Sequence, residues 1–454
     1  MFAAEQADEL VVGLLDKTSS IGAYFSNEER FQALNSLKFI KHIIIIENNL
    51  EKVISQIKPD VVVKGQEFKN QFNPEQESIK AFGGKLIFSS GEKQFSSKEL
   101  LRRQLTENSD LSMQLQKYHE RYDISLNTLQ QITDRFCNKR IAVFGDIIID
   151  EYQECLPIGM SQEDPSIAVS PLGSYRYLGG AGIVAGHATS LGASAELFSV
   201  SGNDELREFA VEMLNSQSTT GHILIDNTRP TTHKLRYRAK DKTLLRVNNF
   251  RKHDIEEQIS TDLFDIFAAK VKDFDLVIFA DFNYGILTKE LVEKVSLLCS
   301  KNGVPIIADS QTSSQIGDLS KYRDIALTSP TEIEARITTQ DETNGLIQVS
   351  TDLAQLLNAD NVIVTLGPEG ILIRSRSDHG WDTDRLPALS NSAVDTAGAG
   401  DALFVTAGLS LISDATAWQA AFLGSVSASI QVNVRGNIPI KKEVLIDNLH
   451  RYVK

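Results

Sequence analysis

The chain has 454 residues, 42% of them hydrophobic and 23% charged, enough for about three domains of roughly 150 residues with sizeable buried cores. Sixty acidic against 46 basic residues give a net charge of -14, which argues against a general nucleic-acid or membrane-surface binder, so any bound anion must be held locally. No run approaches the ~20 apolar residues a bilayer requires, residues 1–20 carry no leader pattern, and Cys137, Cys155 and Cys299 form neither a metal pattern nor a disulfide framework; a reduced, cytoplasmic compartment is the simplest reading.

In chain order, Asp8–Leu15 reads as a strand entered from a helix, and Asn27–Leu37 as a helix with Asn27 as its N-cap. His42–Glu47 reads as a strand, Leu50–Ile57 as a helix, Val61–Gly65 as a strand and Gly83–Phe88 as a turn and strand. This alternation predicts parallel βαβ units in a three-layer domain over residues 1–105. Met1 falls inside the expected first helix, so the strand and loop that normally open such a domain are expected to be absent.

From 106 to 138 the chain turns polar, with apolar residues at helical spacing: Leu111, Leu115, Tyr118 and Tyr122, then Leu126, Leu129, Ile132 and Phe136. Two helices forming a solvated connector are expected, with a coiled contact to a partner subunit as the alternative. Residues 139–454 read as one large α/β domain. Its buried strands are Arg140–Phe144, Leu276–Ala280, Pro305–Asp309 and Val362–Leu366, and the stretches 161–169 and 231–247 predict an added small sheet or lid.

The most informative string is Asp395-Thr396-Ala397-Gly398-Ala399-Gly400-Asp401 ahead of an apolar helix, Ala402–Ile412. Small residues let the backbone approach a ligand, and a helix start presents N–H groups and a positive dipole end, which suits a transferring phosphoryl group. Asp401 beside it is placed to accept a proton from an attacking hydroxyl. The bland alternative is tight packing glycines with Asp401 as an N-cap.

This string resembles the C-terminal signature of the ribokinase-like (PfkB) sugar kinases, usually DTTGAGD, and Gly179-Gly180-Ala181-Gly182-Ile183-Val184-Ala185 resembles their second signature. Within that family the likeness is to heptose 7-phosphate kinases, carried by Gly145-Asp146 through Asp150-Glu151-Tyr152, by Met160–Pro165, and by Thr231–Arg236 with Leu245-Arg246-Val247. The resemblance implies a three-layer α/β/α kinase with a small β lid, using ATP and Mg2+ on a sugar or sugar phosphate, and a homodimer. It implies that Asp401 is the catalytic base and that the backbone of Ala397, Gly398, Ala399 and Gly400 forms the anion hole. Asp146, Asp150, Gly179 and Gly180 would face the sugar, and Thr365, Gly367 and Gly370 the nucleotide. Glu334 would organise magnesium through water. Lys234, Arg236, Arg238 and Arg246 remain for a substrate phosphate or, alternatively, form a solvated strand face.

The departures are Ile183 for a usual Asn, Asp309-Ser310-Gln311 for DPK, and Thr331 for the Asn of PNxxE. They leave the base and anion hole in place but open the identity of the sugar and the strength of the nucleotide site. The N-terminal stretch resembles cytidylyltransferase-like nucleotidyltransferases through Val11–Leu14, Asn27–Arg30, Val63-Lys64-Gly65 and Phe95–Leu100. It lacks an HxGH motif and has Lys98 where those proteins carry Thr, so a degenerate structural or dimerising domain is expected. A start placed too late is the other reading, under which nucleotidyl transfer returns. The leading expectation is a heptose-phosphate-like kinase in ADP-heptose precursor synthesis; the rival is a sugar- or nucleotide-binding protein of weakened turnover.

Overall fold

The computed structural model describes residues 2–16, 26–46, 50–64, 68, 73–88, 111–161, 163–240, 242–311, 317, 319–390 and 393–453. The Phe95–Leu100 string, Gly65, Gln162 and residues 106–110 lie outside the described residues. The chain divides into two compact units, residues 1–110 with 376–384, and 111–375 with 385–454.

In the first unit, strand β1 (Val11–Leu15) pairs in parallel with β2 (His42–Ile46), and β3 (Val61–Lys64) with β4 (Lys85–Phe88). Helices α1 (Asn27–Asn35), α2 (Leu50–Ile57) and α3 (Glu75–Ala81) connect them, so parallel pairing by helical crossovers is as expected. The cap of α1 is Ser26 rather than Asn27: its hydroxyl accepts from the Glu29 N–H while the Glu29 carboxylate accepts from the Ser26 N–H, a reciprocal capping box. The helix α3 was not foreseen; Pro74 precedes it, and Glu75 lies buried against Lys64.

The second unit opens with helices α4 (111–122) and α5 (Leu126–Asp134). They are not a solvated connector. Tyr118, Leu129 and Phe136 are fully buried in the main core, the Tyr118 hydroxyl donates to the Trp418 carbonyl at 2.9 Å, and the Tyr122 ring stacks on Trp418 with centroids 4.5 Å apart. The apolar stripe was legible, but its partner lies some 300 residues later in the chain.

Among the described residues, nine strands form the main sheet. They are β5 (Arg140–Gly145), β8 (Ser194–Ser201), β9 (Thr220–Ile225), β12 (Leu276–Asp281), β13 (Ile306–Ser310), β14 (Leu327–Thr328), β15 (Asn361–Thr365), β16 (Ile371–Ser377) and β17 (Gly380–Leu386). Their order is β17-β16-β15-β14-β13-β12-β5-β8-β9, with every pair from β15 to β9 parallel and β15–β16 antiparallel. Side chains alternate between two cores. Ile141, Val143, Leu197 and Ile278 join the larger cluster, whereas Phe144 and Phe198 stack at 4.6 Å with Phe267 of α8 (Glu257–Ala268) edge-on to both. From β5 the chain proceeds to β8 and β9 on one side, then returns to β12 and onward on the other. The C-terminal ends of β5 and β12 therefore flank a topological switch point, where open α/β sheets place ligands.

Among the described residues, the lid is a separate four-stranded sheet, β11-β10-β6-β7, built from β6 (Ile147–Met160), β7 (Ile167–Gly180), β10 (Thr232–Ala239) and β11 (Lys242–Asn249). It is larger than expected: β6 and β7 form a long antiparallel hairpin starting immediately after Asp146, and the 161–169 stretch covers its tip and the start of β7. Buried polar positions in β6 hid this strand from a hydrophobic-pattern reading.

Candidate active site

Helix α12 (Ala399–Leu411) is capped by Gly398 in the left-handed region (φ 77°), with no side chain capping its first N–H groups. A helix start left open in this way is an anion site. The Ala397 N–H is already taken by Asp395 Oδ1 at 3.1 Å and the Ala399 N–H donates to the Thr396 carbonyl at 3.5 Å, which narrows the expected hole to the N–H groups of Gly398 and Gly400. Asp401, in the first turn, is 6% exposed, and burial is the main reason its carboxyl is raised to about 7. Gln311 Nε2, donating to Asp401 Oδ1 at 2.5 Å, and the nearby Lys234 ammonium pull it down; Asp150 and Glu334 push it up. One carboxylate thus has the residues expected for sugar, phosphate and metal around it.

Asp150, on β6, accepts from Arg236 and from the Asn437 amide at 3.2 Å. Arg236 is accordingly committed in part to Asp150, with its guanidinium 5.2 Å from the Tyr152 ring centroid. Lys234 is buried beside the rings of Phe282 and Tyr284, 5.5 and 5.4 Å away. Arg246 is exposed on β11, opposite Arg236. A Cβ on Gly179 would overlap Asp150 Oδ2, and one on Gly180 (φ 59°) would overlap the Asp146 carbonyl, so both glycines are required by close approach.

Asp146 sits at the switch point. Its Oδ2 accepts from the Phe282 and Tyr284 N–H groups at 3.0 and 3.3 Å, while its Oδ1 is buried without a hydrogen-bond partner. Burial, and then the neighbouring Asp281, raise its carboxyl to about 6. Asp281 is held by Lys321 at 2.6 Å and by the Tyr322 hydroxyl at 2.8 Å.

Sequence reasoning missed Asp309, at the end of β13. Its Oδ1 is buried without a hydrogen-bond partner, and its carboxyl is raised well above the ordinary range by burial and then by Glu334 and Asp401. The Thr328 and Ser329 hydroxyls at the end of β14 are also buried without partners. This set of orphaned polar groups fits a polyphosphate and a hydrated dication. Among the described residues, no three His, Cys, Asp or Glu side chains form a cage for a metal.

Glu334 has a structural duty as well. Thr331 caps α10 (Glu332–Thr339), and Glu334 Oε2 accepts from the Thr331 N–H and hydroxyl, both at 2.8 Å. The Thr331 departure is therefore absorbed by a capping box. Thr365, Gly367 and Gly370 lie at the C-terminal end of β15: the Thr365 N–H donates to the Pro330 carbonyl at 2.8 Å, and a Cβ on Gly370 would overlap the Leu386 carbonyl. Ile183 is fully buried in α6 (Ala181–Ser190) and presents no polar group.

A second linkage was also missed. Asp395 accepts from the Tyr152 hydroxyl at 3.0 Å and from the Gly436 N–H at 3.2 Å, besides Ala397. Lid strand β6 is thus bonded directly to the loop that leads into α12.

The family model for "pfkB family carbohydrate kinase" matches residues 138–443. Among curated proteins, a bifunctional protein HldE of Desulfatibacillum aliphaticivorans is 28% identical over 342 residues, covering 73% of this chain and 65% of that protein. A bifunctional protein HldE of Helicobacter pylori strain J99 is 28% identical over 303 residues, covering 66% and 64%. The chain spans a little under two thirds of the length of these relatives. Of solved structures, Escherichia coli phosphofructokinase-2 in complex with substrates and products gives a TM-score of 0.57 at 16% identity over 69% of this chain and 99% of that one. Arabidopsis thaliana ribokinase complexed with ribose and ATP gives 0.54 at 17% over 68% and 98%. These two likenesses show the ribokinase-like fold.

Proposed function

Because this chain belongs to the pfkB family of carbohydrate kinases, we propose that it transfers the γ-phosphoryl group of ATP to a sugar phosphate, with a heptose 7-phosphate as the acceptor class. The observation that carries the reading is Asp401: a buried carboxyl raised to about 7, beside an uncapped helix start. At neutral pH such a group is divided between its two protonation states, which is the condition for taking a proton from a hydroxyl. The sugar hydroxyl attacks the γ-phosphorus, its proton passes to Asp401, the bond to the bridging oxygen breaks and ADP leaves. The N–H groups of Gly398 and Gly400 face the charge on the transferring phosphoryl oxygens. Asp309 and Glu334 would hold magnesium through water, and the ion would supply neutralisation of phosphate charge. Asp146, Asp150 and the two glycines position the sugar, and Lys234 supplies positive charge for a substrate phosphate.

The lid supports a homodimer as part of this reading. Ile158, Met160, Ile167 and Leu172 are more than half exposed on it, an apolar grouping of the kind that marks an association surface. Residues 1–105 are read as a degenerate nucleotidyltransferase-like domain, supported by their parallel strand pairs, and residues 139–454 as the kinase, with the helices before it docked on its core. No helix among the described residues is long and apolar enough to cross a membrane.

The test is ADP release from Mg-ATP with a panel of hexose and heptose monophosphates. Turnover highest on heptose 7-phosphate supports the reading; binding of sugar or nucleotide without turnover on any of them replaces it with the binding-protein alternative.

A further inference from the structure

Asn437 lies in the loop after α13 (Ala417–Gln431) and is 9% exposed. Its Nδ2 donates to Asp150 Oδ2 at 3.2 Å, and because a carboxylate only accepts, that bond fixes which end of the amide is nitrogen. Its Oδ1 is buried, has no hydrogen-bond partner, and lies where a Cβ on Gly398 would come within 2.5 Å. On the other side, the Cβ position of Gly179 lies 3.6 Å from Asn437 Nδ2. One amide is therefore clamped between the glycine of the lid hairpin and the glycine that caps α12, while bonded to the carboxylate between them.

The backbone that carries Asn437 is held from two directions. Gly436 donates its N–H to Asp395 Oδ2 at 3.2 Å, and its carbonyl accepts from the buried Gln431 Nε2 at 2.9 Å. Gly436 adopts φ 80°, and a Cβ there would strike the Tyr177 ring at 2.7 Å. The amide is thus delivered to Asp150 by a loop with little freedom.

We propose that Asn437 is a positioning residue for the acceptor sugar: its amide holds the Asp150 carboxylate in register with the Gly398 turn, so that sugar hydroxyl and phosphoryl group meet in line. This rests on the kinase reading above. Asp150 has two oxygens, one engaged by Arg236 and one by Asn437. Removal of the amide frees Oδ2 to turn away from the sugar, while the nucleotide contacts near Asp309 and Thr365 are untouched.

The experiment compares wild type, N437L and N437D in the coupled ADP assay, with the panel sugar phosphate that wild type uses best. N437L is expected to raise the sugar KM about tenfold or more, the usual cost of a lost hydrogen bond to a charged group, and to leave the ATP KM within about twofold. N437D restores the donor only when protonated, so its sugar KM relative to wild type is expected to fall as pH is lowered from about 8 to 5.5. The titratable and charged groups around the pair are Lys234, Arg236 and Arg238 on β10, Tyr152 on β6, Asp395 before α12 and Asp401 within it; taking the ratio to wild type at each pH removes their titration. A sugar KM unchanged in N437L, equal losses for sugar and ATP, or a pH-independent N437D ratio would each overturn the proposal while leaving the kinase reading intact. Absence of turnover in wild type on the whole panel would overturn both.

Discussion

Gln311 Nε2 donates a hydrogen bond to Asp401 Oδ1 at 2.5 Å, so the residue that departs from the family's DPK string is in direct contact with the carboxylate assigned as base. That bond favours the ionised form, and its loss raises the carboxyl further above the ordinary 3.8. A base acts when deprotonated, so kcat/KM of the wild type is expected to fall as pH drops through about 7. Q311L is expected to move this acidic limb to higher pH, and Q311K, which adds a positive charge, to lower pH. pH–rate profiles of the three proteins check both signs.

Asp146 predicts a trade between stability and function. Its carboxyl is raised from 3.8 to about 6 in the fold, so the folded state holds the proton more tightly than the unfolded one. Stability is therefore lost as pH rises through that interval, by on the order of 3 kcal/mol if the whole shift is expressed. D146N lacks this penalty, and its amide oxygen can still accept from Phe282 and Tyr284. Thermal unfolding at pH 5 and pH 8 is expected to show D146N gaining on wild type at the higher pH, while its sugar KM rises.

The two glycine motifs meet at one place, and each is predicted to be intolerant. G179A drives a methyl group into Asp150 Oδ2, and G398A places one 2.5 Å from Asn437 Oδ1 at a backbone φ of 77°. Each is expected to cost about 1–3 kcal/mol of stability and to lower kcat/KM by more than that figure alone would imply. Denaturant melts paired with kinetics separate the two effects.

The helices before β5 are expected to be indispensable to the kinase unit. Phe136 is fully buried in its core, so F136A should cost about 3–5 kcal/mol. A solvated connector would give a change near zero in the same urea melt.

The glycines at 179, 180 and 398 were legible because a close backbone approach leaves few alternatives to glycine, and Asp401 because it sits in the same string. Asn437 was not, since its meaning arises from a contact with Asp150, 287 residues away. Asp309 stood in a string read for its missing lysine, and the buried, partnerless state of its Oδ1 exists only in the fold. The helix 111–122 announced an apolar stripe, but the stripe does not name Trp418 as what covers it. Thr331 looked like a loss at a metal-organising motif; the capping box with Glu334 is a local motif that its spacing could have revealed.

Asp401 is assigned the removal of the proton from the attacking hydroxyl, and turnover by D401N on the best panel sugar, with sugar affinity measured calorimetrically on the same protein, tests that role. Loss of a general base predicts a fall in kcat of about 10²–10⁴-fold with the sugar still bound. Turnover retained within about twofold in D401N would contradict the assignment.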